Sequence, residues 1–151
     1  MMRKLLFLLA FAFAAMLQAA DFVTESRWIT ASEGDVNAQN TWIAFRKDIT
    51  LGSIPMKVEA SIAAASKYWL WINGEMVVFE GQLKRGPTPK DTYYDKVDIT
   101  PFLKKGNNEV AVLLWYFGKS GFSHNSSGKS GLLFSAQAIG LYTDSQWMSR
   151  I

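Results

Sequence analysis

Two tryptophans spaced two residues apart, Trp69 and Trp71, lie in the segment Lys67 to Asn73, and Arg85, Tyr93, Tyr94 and His124 follow downstream. Sugar recognition needs this mixture: rings that stack on the apolar face of a pyranose, and planar or charged groups that fork hydrogen bonds onto hydroxyls. In an extended strand, alternation puts Tyr68, Leu70 and Ile72 on one face and Trp69 with Trp71 on the other. With the aliphatic set turned inward, the two indoles form an outward pair, open to a sugar or to a neighbouring domain. Tryptophan is so often buried that packing between strands weighs more than sugar for both rings, and the two readings stay open. Arg85, Tyr93 and Tyr94 flank Gly86-Pro87-Thr88-Pro89, a stiff connection that would present them at one end of the molecule. His124 belongs to a Gly- and Ser-rich stretch, 118–130, too long for a plain hairpin. Loops of that kind carry sites, or are simply solvated.

Other chemistries fit less well. Asp91, Asp95 and Asp98 are the densest acidic group, and bond cleavage by paired carboxylates needs two of them about 6.5 to 9.5 Å apart in contrasting environments. Asp95 and Asp98 instead border a strand and a helical turn, where carboxylates cap backbone N–H groups. His124 with Ser123, Ser126 and Ser127 lacks an orienting acid and an oxyanion pocket. Gly121 to Gly128 is too long an interval for a phosphate loop. No cofactor is implied. Calcium is a minor alternative, using oxygens of Asp91, Asp95, Asn107 or Asn108, although no D-x-D-x-D loop is present. The chain has no cysteine and one histidine, which excludes disulfides, thiolate chemistry and His-rich metal clusters.

These residues must be positioned by strands. The chain reads as short apolar or alternating runs separated by Gly, Pro, Asn, Asp and Ser, without a long helical period. Strands are expected at Arg27 to Thr30, Thr41 to Ile49, Met56 to Ala63, Lys67 to Asn73, Met76 to Phe79, Glu109 to Phe117 and Gly131 to Tyr142. Asn73-Gly74 should form a tight type I′ hairpin. Thr100, Pro101 and Gly106 mark one helical turn over Pro101 to Lys105. Val110, Val112, Leu114 and Tyr116 face one way and Ala111, Leu113, Trp115 and Phe117 the other, so that strand should be central. The fold class expected is all-β, an antiparallel two-layer sandwich with one short helical turn.

Residues 1–20 place Arg3 and Lys4 before an apolar run, Leu5 to Leu17, and then small residues, the layout of a signal peptide. The mature chain is expected to begin near Asp21, to be secreted or periplasmic, and to form a single sandwich domain over 21–151. The apolar run is short for a membrane span, and none is expected after cleavage. Removing Arg3 and Lys4 takes the 16 basic residues to 14 against 13 acidic ones, a net charge of +1. With no dense basic stripe, nucleic acid is not an expected partner.

Several stretches together resemble a known domain: TWIAFRK (Thr41 to Lys47), KYWLWINGEMVVFEG (Lys67 to Gly81), KRGPTP (Lys84 to Pro89), YYDKVDITPFLKKGNNEVAVLLWYFG (Tyr93 to Gly118) and FSHNSSGKSGLLF (Phe122 to Phe134). They resemble the N-terminal β-sandwich of bacterial α-L-rhamnosidases of glycoside hydrolase family 78. The pattern NG, D-[IV]-T, L-x-x-G-x-N also recurs in jelly-roll, galactose-binding-like domains. The resemblance implies a non-catalytic sandwich that contacts carbohydrate, such as a rhamnose-containing glycan, or braces the catalytic domain of a parent glycosidase. In such enzymes a later helical barrel supplies the general acid and base, so no catalytic residue carries over to this chain. The ending after Trp147 implies a reading frame cut before that barrel. The competing expectation is a purely structural module with an orphaned interface and no ligand.

Overall fold

The computed structural model describes residues 22–83, 92–122 and 124–151. The proposed signal peptide at 1–20, Arg85 and the KRGPTP stretch therefore lie outside the described residues. The strands are β1 (Thr41–Leu51), β2 (Glu59–Ala65), β3 (Lys67–Ile72), β4 (Glu75–Gln82), β5 (Asp95–Asp98), β6 (Gly106–Tyr116), β7 (Gly131–Ala136), β8 (Leu141–Tyr142) and β9 (Met148–Arg150). One sheet runs β4-β3-β6-β1-β9 and the other β5-β2-β7-β8, with every pairing antiparallel. The chain is an all-β, antiparallel sandwich.

Alternation along the two central strands of the first sheet builds half the core. Tyr68, Leu70 and Ile72 of β3 lie opposite Leu114, Val112 and Val110 of β6, and all six are buried. Ile43 and Phe45 extend that row onto β1, while Ala60, Ile62, Ala64, Leu132 and Phe134 meet it from the second sheet. Trp147 lies 5.7 Å from Phe134 and donates its indole N–H to Tyr142 O at 2.9 Å.

Several expectations needed correction. Arg27 to Thr30 is not a strand; it touches the ladder only through Ile29, paired with Leu132. Gly131 to Tyr142 is broken by a 3-10 turn at Gln137–Ile139, which ends at left-handed Gly140. Strand β9 was not anticipated, and β5 is the strand that Asp95 and Asp98 were expected to border, with both aspartates inside it. Asp-Lys-Val-Asp and Met-Ser-Arg are short, mostly polar edge segments, and their pairing depends on a partner rather than on their own composition. The helical turn covers Thr100–Phe102 instead of Pro101 to Lys105; its N-cap is Ile99, without a side-chain cap bond, and Asp98 just before it accepts from Thr100 N (3.0 Å) and Thr100 Oγ1 (2.6 Å).

The three parts of the NG, DIT, LxxGxN pattern meet at one end of the sandwich. Asn73 and Gly74 take φ of 53° and 81°, as a type I′ turn requires. Asn73 Nδ2 donates to Phe102 O and Asn108 Oδ1, and its Oδ1 accepts from Glu109 N. Buried Asn108 also accepts from Lys104 N and donates to Lys104 O and Gly106 O. Thr100 Oγ1 accepts from Val58 N at 2.7 Å. Removing Asn108 strands several of these partners without water. Asn108→Ala is expected to lower stability by about 1–3 kcal/mol, read as a lower urea midpoint at unchanged slope; an unchanged midpoint would show that the network is redundant.

Candidate functional site

The aliphatic faces of β3 and β6 do turn inward, so Trp69 and Trp71 lie on the outer face of the five-stranded sheet, both half-buried. Trp69 does not pair with Trp71. Its ring neighbours are Trp42, at 5.5 Å, and Phe79, edge-on at 6.3 Å. Trp42 stacks on Trp115 at 4.8 Å with planes 8° apart, Trp115 meets Phe117 at 4.6 Å, and Phe117 meets the His124 ring at 5.6 Å. Six rings thus form a continuous ribbon from the edge strand β4 to the 117–130 loop. Trp71 lies one row away, opposite Ala111 and Met76.

Register explains the ribbon. Trp42 lies opposite Trp115 across the β1–β6 ladder, and directly opposed rings in an antiparallel pair come close enough to stack. Trp42 was missed as a site residue although alternation along Thr41 to Lys47 shows it facing outward; Phe79 and Phe117 were missed because their neighbours depend on bulges and a loop. Trp115 donates its indole N–H to Asn40 Oδ1 at 2.7 Å, which fixes one side of the ribbon. Asn40 itself sits at φ 60°.

At the loop end, His124 Nε2 lies 3.3 Å from Ser66 Oγ, and Ser66 Oγ accepts from Phe117 N at 3.2 Å. His124 therefore pins the loop to the β2–β3 corner. Ser123 lies outside the described residues, and Ser126 bonds instead to Tyr116 and the loop backbone. Tyr93 and Tyr94 precede β5, on the four-stranded sheet; Tyr93 is exposed, and Tyr94 sets its ring edge-on against Phe22 at 5.3 Å.

Two of the acidic candidates, Asp95 and Asp98, are engaged in structural hydrogen bonds. Asp95 Oδ2 accepts from Tyr68 Oη (3.1 Å) and Gln82 N (2.7 Å), tying the two sheets together, and burial pushes the Tyr68 phenol well above its usual value. The Asp98 carboxyl is held below its usual range by the Thr100 hydroxyl and N–H. Asp91 lies outside the described residues. The oxygens considered for calcium are scattered: Asp95 serves Tyr68, Asn107 accepts from Thr50, and Asn108 is committed to the turn network. Among the described residues, no group of three or more His, Cys, Asp or Glu converges as a metal site, and no helix is long and apolar enough to cross a membrane.

Neither a sequence family model nor a curated protein matches the chain. Solved structures do. A family 78 rhamnosidase of Bacillus sp. GL1 is 30% identical, with a TM-score of 0.72 over 85% of this chain and 13% of that one. The chain shares its fold with part of this rhamnosidase. An α-L-rhamnosidase from Aspergillus terreus shares the fold at 22% identity, with a TM-score of 0.61 over 84% of this chain and 17% of that one. A lectin from Pleurotus ostreatus, solved with GalNAc, shares it at 18% identity, with a TM-score of 0.54 over 85% of this chain and 36% of that one. The chain spans between 12% and 17% of the length of the rhamnosidases it matches.

Burial lowers the His124 pKa from its ordinary 6.5. The unfolded chain then binds the proton more readily than the folded one, so the His124 contribution is intact above about pH 6.5 and is lost as pH falls through the lowered folded value. Melting temperature should hold between pH 8 and 7 and decline below 6.5, and His124→Gln should flatten that decline. An identical pH profile in the variant would show that the loop is not held through this imidazole.

Proposed function

We propose that this chain is a non-catalytic module of a glycosidase-type protein and contacts carbohydrate through the aromatic ribbon on its five-stranded sheet. The observation that carries the reading is the ribbon itself: Trp42 and Phe79 are 40% and 71% exposed beside the half-buried indoles of Trp69 and Trp115. Exposed rings on a rigid sheet supply apolar contact at little entropic cost. The likeness to rhamnosidases and to a lectin supports the same class of ligand, and the structural commitments of Asp95 and Asp98 support a non-catalytic role. A rhamnose-bearing glycan is the ligand we favour, and the wider protein would supply the catalytic domain. Export to the periplasm or beyond fits this role.

A second reading has its own observation. The Trp42, Trp69 and Trp115 indoles lie against one another, so much of their face area is already used. Beside them the row runs from exposed Met76 through half-buried Trp71 and Ala111 to Arg46 and exposed Met148. Such a surface also suits the flank of a neighbouring domain, which it would brace without binding sugar.

Calorimetric titration with L-rhamnose and rutinose separates the two. Binding is expected for wild type, weakened roughly threefold or more by Trp42→Ala, as loss of an aromatic contact of about 0.5–1.5 kcal/mol predicts. Trp28→Ala, in the segment that crosses the other sheet, should bind as wild type. A wild-type chain silent toward both sugars at millimolar concentration would favour the bracing reading. Separately, the pure chain is expected to release no L-rhamnose from an aryl rhamnoside; turnover that persisted through purification would overturn the non-catalytic assignment.

A further inference from the structure

The edge strand β4 carries two extra residues relative to β3. From Tyr68 to Leu70 is two steps on β3, but the partners Gly81 and Val78 are three apart; from Leu70 to Trp71 is one step, but Val78 and Met76 are two apart. The first of these bulges sets both Phe79 and Glu80 against Trp69. Bulges re-aim side chains, and they recur beside binding sites. Here the outcome is specific: Phe79 meets the Trp69 ring edge-on, and Glu80, at a φ of 57° that a glutamate seldom adopts, bonds Lys67 Nζ at 2.9 Å. Lys67 lies opposite Trp115 in the ladder, so the ion pair borders the ribbon.

The lysine of this pair is partly withdrawn from water while its glutamate is open. The Lys67 side chain is 22% exposed, between Lys47 in its pair with Asp144 (15%) and Arg46, Lys57 and Lys96 in theirs (52%, 68% and 47%), and Glu80 is 41% exposed. Lysine only donates and an ionised glutamate only accepts. Side by side they match two adjacent hydroxyls, one accepting and one donating. Phe79 supplies what the stacked indoles do not, a largely exposed ring, next to that fork.

Building on the carbohydrate reading above, we infer that Phe79, Lys67 and Glu80 form the subsite that grips the sugar, and that its ligand is a neutral pyranose bearing a vicinal diol. The ring takes the apolar face of the pyranose, Lys67 donates to one hydroxyl, and Glu80 accepts from its neighbour.

The test is calorimetric titration of the full chain with methyl α-L-rhamnoside, comparing wild type with Lys67→Met, Glu80→Gln and Arg46→Met. The first two variants are expected to bind about tenfold more weakly, as loss of a charged hydrogen bond predicts, and Arg46→Met, in an ion pair elsewhere on the same face, to bind as wild type. Melting curves establish that each variant is folded. A second measurement needs no variant: of the 2-, 3- and 4-deoxy analogues, those lacking a hydroxyl of the gripped pair should bind wild type about tenfold more weakly than the parent. If wild type binds while Lys67→Met, Glu80→Gln and every deoxy analogue match the parent affinity, this subsite is wrong and the carbohydrate reading survives. If wild type binds neither this glycoside nor the sugars named above, both fall together.

Discussion

Everything on the outer surface depends on one pairing, the antiparallel register of β3 with β6. Tyr68, Leu70 and Ile72 against Leu114, Val112 and Val110 form a buried aliphatic and phenolic seam, and a slip of one residue would turn that seam to solvent and the tryptophans inward. At roughly 1.5–3 kcal/mol for each fully buried large side chain, the seam outweighs any preference of the outward rings. The outer face is thus aromatic because the inner face is aliphatic and the period is two. Trp69, Trp71 and Trp115 occupy what the core leaves over.

That register is pinned at one end by side-chain amides. Asn73 in the hairpin and Asn108 at the start of β6 hydrogen-bond to each other and to the intervening turn, and Asp98 and Thr100 fix the turn to β2 through Val58. These residues are the recurring pattern by which the sequence resembles galactose-binding-like sandwiches. Their work is internal, which explains why the pattern identifies a fold and says little about a ligand. The ribbon's loop end, where His124 meets Ser66, lies at the opposite end of the strands.

What could be read from the sequence follows from range. Alternation within one strand is local, so the inward and outward sets of β3, β6 and β1 were visible, as was the Asn73-Gly74 turn. Contacts between strands need register, and the sequence does not show it; the expected Trp69–Trp71 pair is replaced by a diagonal from Trp69 to Trp42. A bulge is a count of residues against a partner, so the placement of Phe79 beside Glu80 had no signature in Met76 to Phe79 alone. Arg27 to Thr30 misled for a related reason: its only bridge to a strand joins Ile29 to Leu132, and a single bridge has no local signature.

The 22–31 segment covers one of the two outer faces. On the four-stranded sheet the outward residues Ser61, Ala63 and Ser135 are small, yet they are 5%, 1% and 2% exposed. The chain's own N-terminal stretch lies across that sheet, with Val23 N donating to Ser135 Oγ, Arg27 N to Thr143 O, and Ile29 pairing with Leu132. Small side chains let a backbone approach closely, and the approach uses up the face. The five-stranded sheet has the opposite composition, large rings that hold a backbone away and leave Phe79, Met76 and Trp42 exposed. Each sheet has an outer face to deal with, and the chain closes one with itself. The open one is where a sugar or another domain has something left to bury.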